Sequence, residues 1–324
     1  MGARLLEVED LQTHFIKGND RVRAVDGVSF HVDENETLGL VGESGCGKTV
    51  SCLSVLRLVP KPAGRIVGGK IMFEGQNLLA MSEREMQKLR GNKISMILQD
   101  PMTSLNPVFT IGDQIREAIA IHSKLDKASL VSRVIEMLGL VKIPSPETRI
   151  SGYPHQMSGG MKQRVVGAVC ISCRPKLLIA DEPTTSLDVT VQAQYLQLLK
   201  DIQRELGMAL IFITHDFGIV ANICDRVAIM YAGRIVESAS VRDILYRPAH
   251  HYTASLLKAV PTLQTSMERL VSIPGQPPRL DSLPAGCKFA PRCTQPDGDC
   301  LQEEPPLIEI ADNHYVRCCH HIGS

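Results

Sequence analysis

The sequence predicts an α/β fold built around a largely parallel sheet. Short, continuous apolar runs such as Thr37–Val41, Leu177–Ala180 and Ala209–Thr214 fit strands buried on both faces. Between them lie helical periodicities, which gives the alternation of a parallel sheet with crossover helices. At 324 residues and 44% hydrophobic content the chain can bury a large core, and its length suggests two or three domains.

Leu5–Phe15 and Ala24–Val32 open the chain as strands with partial alternation, followed by the buried strand Thr37–Val41. Lys48–Leu58 follows a glycine loop and reads as a helix; Lys70–Phe73 and Ile94–Leu98 are further strands. Residues 100–175 carry no strong strand pattern. With Asp113–His122, Lys127–Leu138 and Gly160–Ser172 as helices, they read as a helical insertion. Asp188–Gly207 places Tyr195, Leu196, Leu199, Ile202 and Leu206 three or four apart, with Gly207 as the stop. Val227–Val236 is a strand pair broken at Ala232-Gly233. The tail changes character: eight of the 19 prolines fall between Pro274 and Pro306, so it reads as an irregular segment that is either disordered or held by something else.

Composition removes several classes of function. Lys and Arg total 35 and Asp and Glu total 35, so no net charge draws the chain to nucleic acid or an anionic membrane. Six Tyr, seven Phe and no Trp are too few for a base-stacking platform. No run approaches the roughly 18 apolar residues of a membrane span, and the N-terminus has neither a signal core nor a myristoylation pattern. The expectation is a cytosolic protein that reaches a membrane only through a partner.

Gly42-Glu43-Ser44-Gly45-Cys46-Gly47-Lys48-Thr49 fits G-x4-G-K-[ST] between a buried strand and a helix. Glycines let backbone N–H groups turn toward phosphate oxygens, and the helix directs its N-terminus at the same charge. Lys48 suits the β- and γ-phosphates, and the Thr49 hydroxyl suits Mg²⁺. The Cys46 thiol reads as a bystander in this loop, with a pKa lowered by Lys48 and the helix N-terminus as the alternative. Leu177-Leu178-Ile179-Ala180-Asp181-Glu182 is an apolar strand ending in two carboxylates. Asp181 suits Mg²⁺, and Glu182 is then free to orient a water and accept its proton.

Ser158-Gly159-Gly160-Met161-Lys162-Gln163 resembles the signature of the ABC-type ATPases. Gln99 resembles their Q-loop, Ser186-Leu187-Asp188 their D-loop, His215 their switch histidine and Phe15 their adenine-stacking aromatic, with order and spacing matching over about Leu5–Val236. The resemblance implies an ABC-type P-loop cassette with an N-terminal antiparallel β-subdomain and a helical subdomain. ATP would be bound by Phe15, Gly42, Ser44, Gly45, Cys46, Gly47, Lys48, Thr49, Val50, Gln99 and Asp181. Mg²⁺ would sit on Thr49, Gln99 and Asp181, with Glu182 and His215 catalytic. Ser158, Gly159 and Gly160 would meet the γ-phosphate held by a second, head-to-tail subunit. Met157 departs from the usual Leu, and Phe15 from the commoner Tyr.

Gln99–Pro107, Tyr153-Pro154-His155-Gln156 and His250-His251-Tyr252-Thr253, followed by Leu256-Leu257 and Val260-Pro261, resemble the dipeptide, oligopeptide and nickel importers, although His251 replaces the usual Pro. The implied system pairs this chain with a paralogous ATPase, two permease subunits and an extracytoplasmic peptide-binding protein, at the cytoplasmic face of the inner membrane. Nickel or another small solute is the alternative cargo, and a soluble ABC ATPase outside transport the alternative class. The expected division is 1–255 for the cassette and 256–324 for a C-terminal extension.

That extension holds five of the ten cysteines. Cys287, Cys293, Cys300 and Cys318 could ligate zinc or an iron–sulfur cluster, and their spacing does not choose between them. Resemblance to the importer tails implies a [4Fe-4S] cluster, with Cys319 able to replace Cys318. Cys170, Cys173, Cys52 and Cys224 read as buried structural thiols, and Lys124, Lys127 and Arg133 as a solvated helix face.

Overall fold

The computed structural model describes residues 3–100, 103–185, 187–259 and 272–323. Pro101, Met102, Ser186, Val260 and Pro261 of the motifs above lie outside them. The chain runs β1 (Arg4–Lys17), β2 (Asp20–Asp33), β3 (Thr37–Val41), α1 (Lys48–Val55), β4 (Gly64–Phe73), β5 (Gln76–Asn77), α2 (Glu83–Leu89) and β6 (Ile94–Ile97). Next come α3 (Ile111–His122), α4 (Lys127–Leu140), α5 (Pro146–Arg149), α6 (Gly159–Ile171), β7 (Leu177–Asp181), α7 (Val189–Leu206) and β8 (Ala209–Thr214). It ends with α8 (Phe217–Ile223), β9 (Arg226–Tyr231), β10 (Arg234–Ser240), α9 (Val241–Tyr246), α10 (His251–Lys258), α11 (Gly298–Gln302), β11 (Ile308–Ala311) and β12 (His314–Val316). No helix among the described residues is long and apolar enough to cross a membrane.

Two compact units emerge. The first comprises residues up to Leu5, Val32–Thr37 and Ala80–Ile213. Its strands β6, β7 and β8 run parallel, with Ile94 opposite Leu177 and Leu177 opposite Ala209. Every residue of β7 and β8 is buried, so neither shows the alternation of a one-faced strand. The helices from α3 to α6 form the expected insertion, and each of the long ones starts on a side-chain cap. Thr110 accepts the Asp113 N–H, Asp126 that of Ser129, Ser158 that of Met161 and Asp188 that of Val191. Ile115, Ile119, Val134, Met137 and Val165 are buried on their facing stripes. Gly207 ends α7 in the left-handed conformation at φ 62°, as its position predicts.

Some expectations need correction here. Helix α2 adds to the predicted elements, and it starts on a capping box of Ser82 and Glu85 whose pattern stands in the sequence. Lys124 and Lys127 are exposed as expected, whereas Arg133 is half-buried and bonds Glu136 at 2.7 Å.

The second unit takes Leu6–His31, Leu38–Leu79 and the chain from Thr214 on. Strands β2-β1-β4-β5 form an antiparallel sheet in that order, with Leu6 opposite Phe73 and a bulge between Glu9 and Thr13. Strand β3 lies parallel to β9, and β9 turns through Ala232-Gly233 into antiparallel β10. The tail is more regular than its prolines suggest: β12 pairs with β10 through Glu237 opposite Val316, and β11 pairs with β12.

Charge pairs and aromatics fasten this tail. Lys288, 5% exposed, donates to Asp26 at 2.8 Å and to the Ala232 carbonyl at 3.2 Å. Arg234 meets Glu304 at 2.8 Å. Phe289 packs against Tyr231 and Tyr252, with centroids 5.3 Å away in both cases, so it shares a core with Val41, Val227 and Ile229. Glu237 is fully buried and accepts the Ala249 N–H at 2.7 Å, the His250 N–H at 2.9 Å and a bond from His314 Nε2 at 2.8 Å. His250 in turn accepts the Tyr252 N–H at Nδ1, capping α10.

Burial holds the His250 pKa down, to about 4. The folded chain therefore keeps His250 neutral where the unfolded chain, at about 6.5, takes up a proton. Its contribution to stability is full above pH 6.5 and is lost as pH falls toward 4. Urea unfolding of the native chain and of His250→Asn across pH 4–7 checks this: the variant has the shallower loss, and equal slopes contradict it.

Candidate functional site

The glycine loop after β3 is set in the second unit by backbone approaching from three sides. A Cβ on Gly47, which caps α1 at φ 108°, would lie 2.2 Å from the Ala24 carbonyl. One on Gly42 would lie 2.1 Å from the Met230 carbonyl. Only glycine fits at either position. The β9–β10 turn grips the loop as well, because the Gly233 N–H donates to the Cys46 carbonyl at 2.9 Å.

Lys48 is 5% exposed and curls back over the loop, donating to the Gly42 carbonyl at 2.8 Å and the Glu43 carbonyl at 3.0 Å. Those carbonyls keep an ammonium buried beside a helix N-terminus, ready for an anion. Ser44 and Gly45 are exposed at the tip, while Thr49 and Val50 are half-buried on α1. Phe15 stands half-buried on β1 opposite Gly64 of β4. His215 is exposed after β8, just before Asp216, which caps α8 by accepting the Gly218 N–H at 2.7 Å.

At Cys46 the alternative of a lowered pKa fails, and the bystander reading stands. Burial drives its thiol pKa upward, and the attraction of Lys48 only partly offsets that. The helix N-terminus reads as activating from sequence, but the 5% exposure of Cys46 decides the sign.

In the first unit, β7 delivers Asp181 almost fully buried at 1% exposure. Glu182 follows at φ 44°, a left-handed turn that a bulky residue adopts only under constraint. Its N–H is held by the Ile213 carbonyl at 3.0 Å, and its carboxylate accepts the Thr185 hydroxyl at 3.1 Å. Gln163, fully buried on α6, donates to the Pro183 carbonyl and ties the signature helix to this turn. Ser158 is exposed with its hydroxyl accepting the Met161 N–H at 3.3 Å, so Ser158, Gly159 and Gly160 form the open N-terminus of α6. Gln99 is exposed after β6.

The five tail thiols gather in the second unit without a disulfide. The Cys287 N–H donates to the Cys300 carbonyl at 2.8 Å, and Cys300 and Cys319 share a hydrogen bond. The backbone N–H groups of Phe289 and Ala290 aim at the Cys287 sulfur, that of His320 at Cys318 and that of Gln295 at Cys293 at 3.5 Å. Burial pushes Cys300 and Cys318 up to about 11, and the neighbouring thiolates add to the shift.

Arg292, which sequence reasoning passed over, joins the loop to the tail, and Tyr252 of the His-His-Tyr-Thr motif meets the loop as well. Arg292, 6% exposed, forks onto Glu43, with its Nη1 2.7 Å and its Nη2 3.0 Å from the two carboxylate oxygens. The Tyr252 hydroxyl accepts the Glu43 N–H at 3.0 Å. The 249-residue separation left no local signal for the ion pair.

Residues 25–185 match the family model of the ABC transporter, and residues 236–300 that of the oligopeptide/dipeptide transporter C-terminal region. The chain is 52% identical to a probable peptide ABC transporter ATP-binding protein, y4tR, of Sinorhizobium fredii, over 97% of this chain and 94% of that one. It is 51% identical to the oligopeptide transport ATP-binding protein OppD of Bacillus subtilis, over 97% and 88%. Against the dipeptide transport ATP-binding protein DppD of Escherichia coli the figures are 47%, over 97% and 96%. Among solved structures, the dimeric ABC transporter cassette MJ0796 shares the fold at a TM-score of 0.64 and 22% identity, covering 74% of this chain and 99% of that one. The cassette cbiO1 of Clostridium perfringens does so at 0.64 and 26%, covering 76% and 92%.

Iodoacetamide applied to the native chain at pH 8 is expected to leave Cys46 unmodified while labelling it fully in denaturant, as read by peptide mass spectrometry. Rapid native labelling would contradict the burial argument.

Proposed function

The chain belongs to the oligopeptide and dipeptide ABC transporter ATP-binding family, and from that premise we propose that it binds MgATP at the Gly42–Thr49 loop and hydrolyses it with Glu182 to drive peptide uptake through partner permeases. The observation that carries this is the loop itself: a buried Lys48 held by carbonyls above a helix N-terminus, between glycines that admit no side chain.

Phe15 stacks on the adenine, and Gly42, Ser44, Gly45, Cys46, Gly47 and Val50 offer backbone around the phosphates. Lys48 exchanges its two carbonyl partners for β- and γ-phosphate oxygens, so its charge is already desolvated when the nucleotide arrives. Thr49, Gln99 and Asp181 supply the oxygen donors that a hard cation takes, and Asp181 is buried enough to be a strong one. When bound, Mg²⁺ neutralises charge building on the β- and γ-phosphate oxygens. Glu182, turned outward by its left-handed backbone and steadied by Thr185, accepts the proton of the attacking water. His215 donates to the γ-phosphate. Ser158, Gly159 and Gly160 present amides to the γ-phosphate on a paralogous subunit, so that each ATP joins two chains until it is cleaved.

A groove of about 560 Å³ in the first unit supports the permease partnership. It is lined by Leu98, Leu105, Phe109 and Ile121, among others, and Leu98, Phe109 and Ile121 are half or more exposed. Such an apolar opening beside Gln99 suits a short cytoplasmic helix of a permease. Two permeases and an extracytoplasmic peptide-binding protein complete the system, with this chain peripheral on the cytoplasmic face of the inner membrane.

For the tail, the donor set fits a four-thiolate group. Free thiols are gathered in one small segment, with backbone N–H groups already directed at Cys287, Cys293 and Cys318. Cys287, Cys293, Cys300 and Cys318 would hold a [4Fe-4S] cluster, with Cys319 beside Cys300 as the alternative ligand. Bound there, the group would crosslink the tail; binding it would deprotonate thiols whose pKa values burial has raised.

Glu182→Gln is expected to cut ATP turnover of the assembled transporter by about 10²–10⁴-fold while retaining MgATP binding. An unchanged rate would overturn the catalytic assignment. Chain purified without oxygen is expected to be brown with roughly four iron atoms, and Cys300→Ser to lose them; a colourless chain holding zinc alone overturns the cluster.

A further inference from the structure

Glu43 puts a carboxylate inside a loop whose business is to hold a polyanion, and the fold meets that charge with a cation from the C-terminal extension. The geometry points to Arg292 as a positioning residue for nucleotide binding, acting through Glu43 to neutralise and orient the phosphate loop. This rests on the MgATP reading above.

Glu43 is held at three points. Its N–H goes to the Tyr252 hydroxyl, its carbonyl accepts from Lys48, and both carboxylate oxygens take the Arg292 fork. Arg292 is itself fixed: its Nε donates to the Pro274 carbonyl at 3.0 Å, its Nη1 to the Tyr231 hydroxyl at 3.3 Å, and its guanidinium lies 5.8 Å from the Tyr231 ring centroid. A planar fork braced in this way fixes the carboxylate in angle as well as distance. The Glu43 side chain is 27% exposed against 4% for Arg292, so the anion faces the loop's open side while the cation backs it from within.

Two consequences have opposite signs. Without the guanidinium, the Glu43 carboxylate is free to swing toward the phosphates, repelling them. Without the carboxylate charge, Arg292 remains and adds positive potential behind the loop. A residue that served only to hold the tail in place would give the same sign in both cases.

The test is the Kd of the full-length chain for a non-hydrolysable ATP analogue with Mg²⁺, measured for the native protein, Arg292→Gln, Glu43→Gln and the double variant. Thermal unfolding without nucleotide checks that each is folded. An unscreened unit charge several ångströms from a polyphosphate corresponds to about a tenfold change in affinity. Arg292→Gln is expected to raise Kd about tenfold, Glu43→Gln to lower it about threefold, and the double variant to return within about threefold of native. Equal weakening by both single variants, or an Arg292→Gln Kd within about twofold of native, overturns the proposal. Should Arg292→Gln fail to fold, Glu43→Gln decides alone, and weaker binding refutes the inference. A native chain that binds no analogue sinks the MgATP reading itself, which separates that failure from failure of the clamp.

Discussion

The glycine loop of the second unit depends on one constraint: bare backbone alone fits between the strands that flank it. Amides can turn inward only where no side chain stands in the way, and here neighbouring carbonyls come so close that a single Cβ at Gly42 or Gly47 would overlap them. The strands that supply those carbonyls, β2 and β9, are therefore part of the binding device. The β9–β10 turn closes on the loop through Gly233, and α1 supplies both its own N-terminus and Lys48. An ammonium kept this far from water is costly unless it is hydrogen-bonded, and two loop carbonyls meet that need until phosphate does.

The C-terminal segment answers a related problem by other means. Rich in proline and short of bulk, it has little apolar area with which to hold itself to the rest. It adds two strands beyond β10, packs Phe289 against the Tyr231 and Tyr252 pair, and sends Lys288, Arg292 and His314 to acidic partners earlier in the chain. Glu237 is fully buried and Asp26 and Glu43 are partly so, and each cation or histidine that meets them is buried, so each pair depends on both members staying in place. One acidic partner is Glu43 in the glycine loop, which turns a structural fastening into a contact with the proposed nucleotide site.

The first unit carries its chemistry on ends of elements. Asp181 and Glu182 close β7, Ser158 opens α6, and Gln99 follows β6. Strands buried along their whole length leave such termini as the places where polar side chains can emerge. The left-handed Glu182 shows how sharply the chain must turn to bring its carboxylate out.

The sequence by itself determined the α/β alternation and the insertion of helices, because these depend on local periodicity; the motifs that carry the proposed nucleotide site are likewise spaced within a few residues. The capping box at Ser82 is equally local. Only the tertiary structure decided that Cys46 is shielded rather than activated, that the proline-rich tail forms strands, and that Arg292 meets Glu43. Each of those outcomes turns on burial or on partners far apart along the chain, and neither is encoded in any short stretch of it.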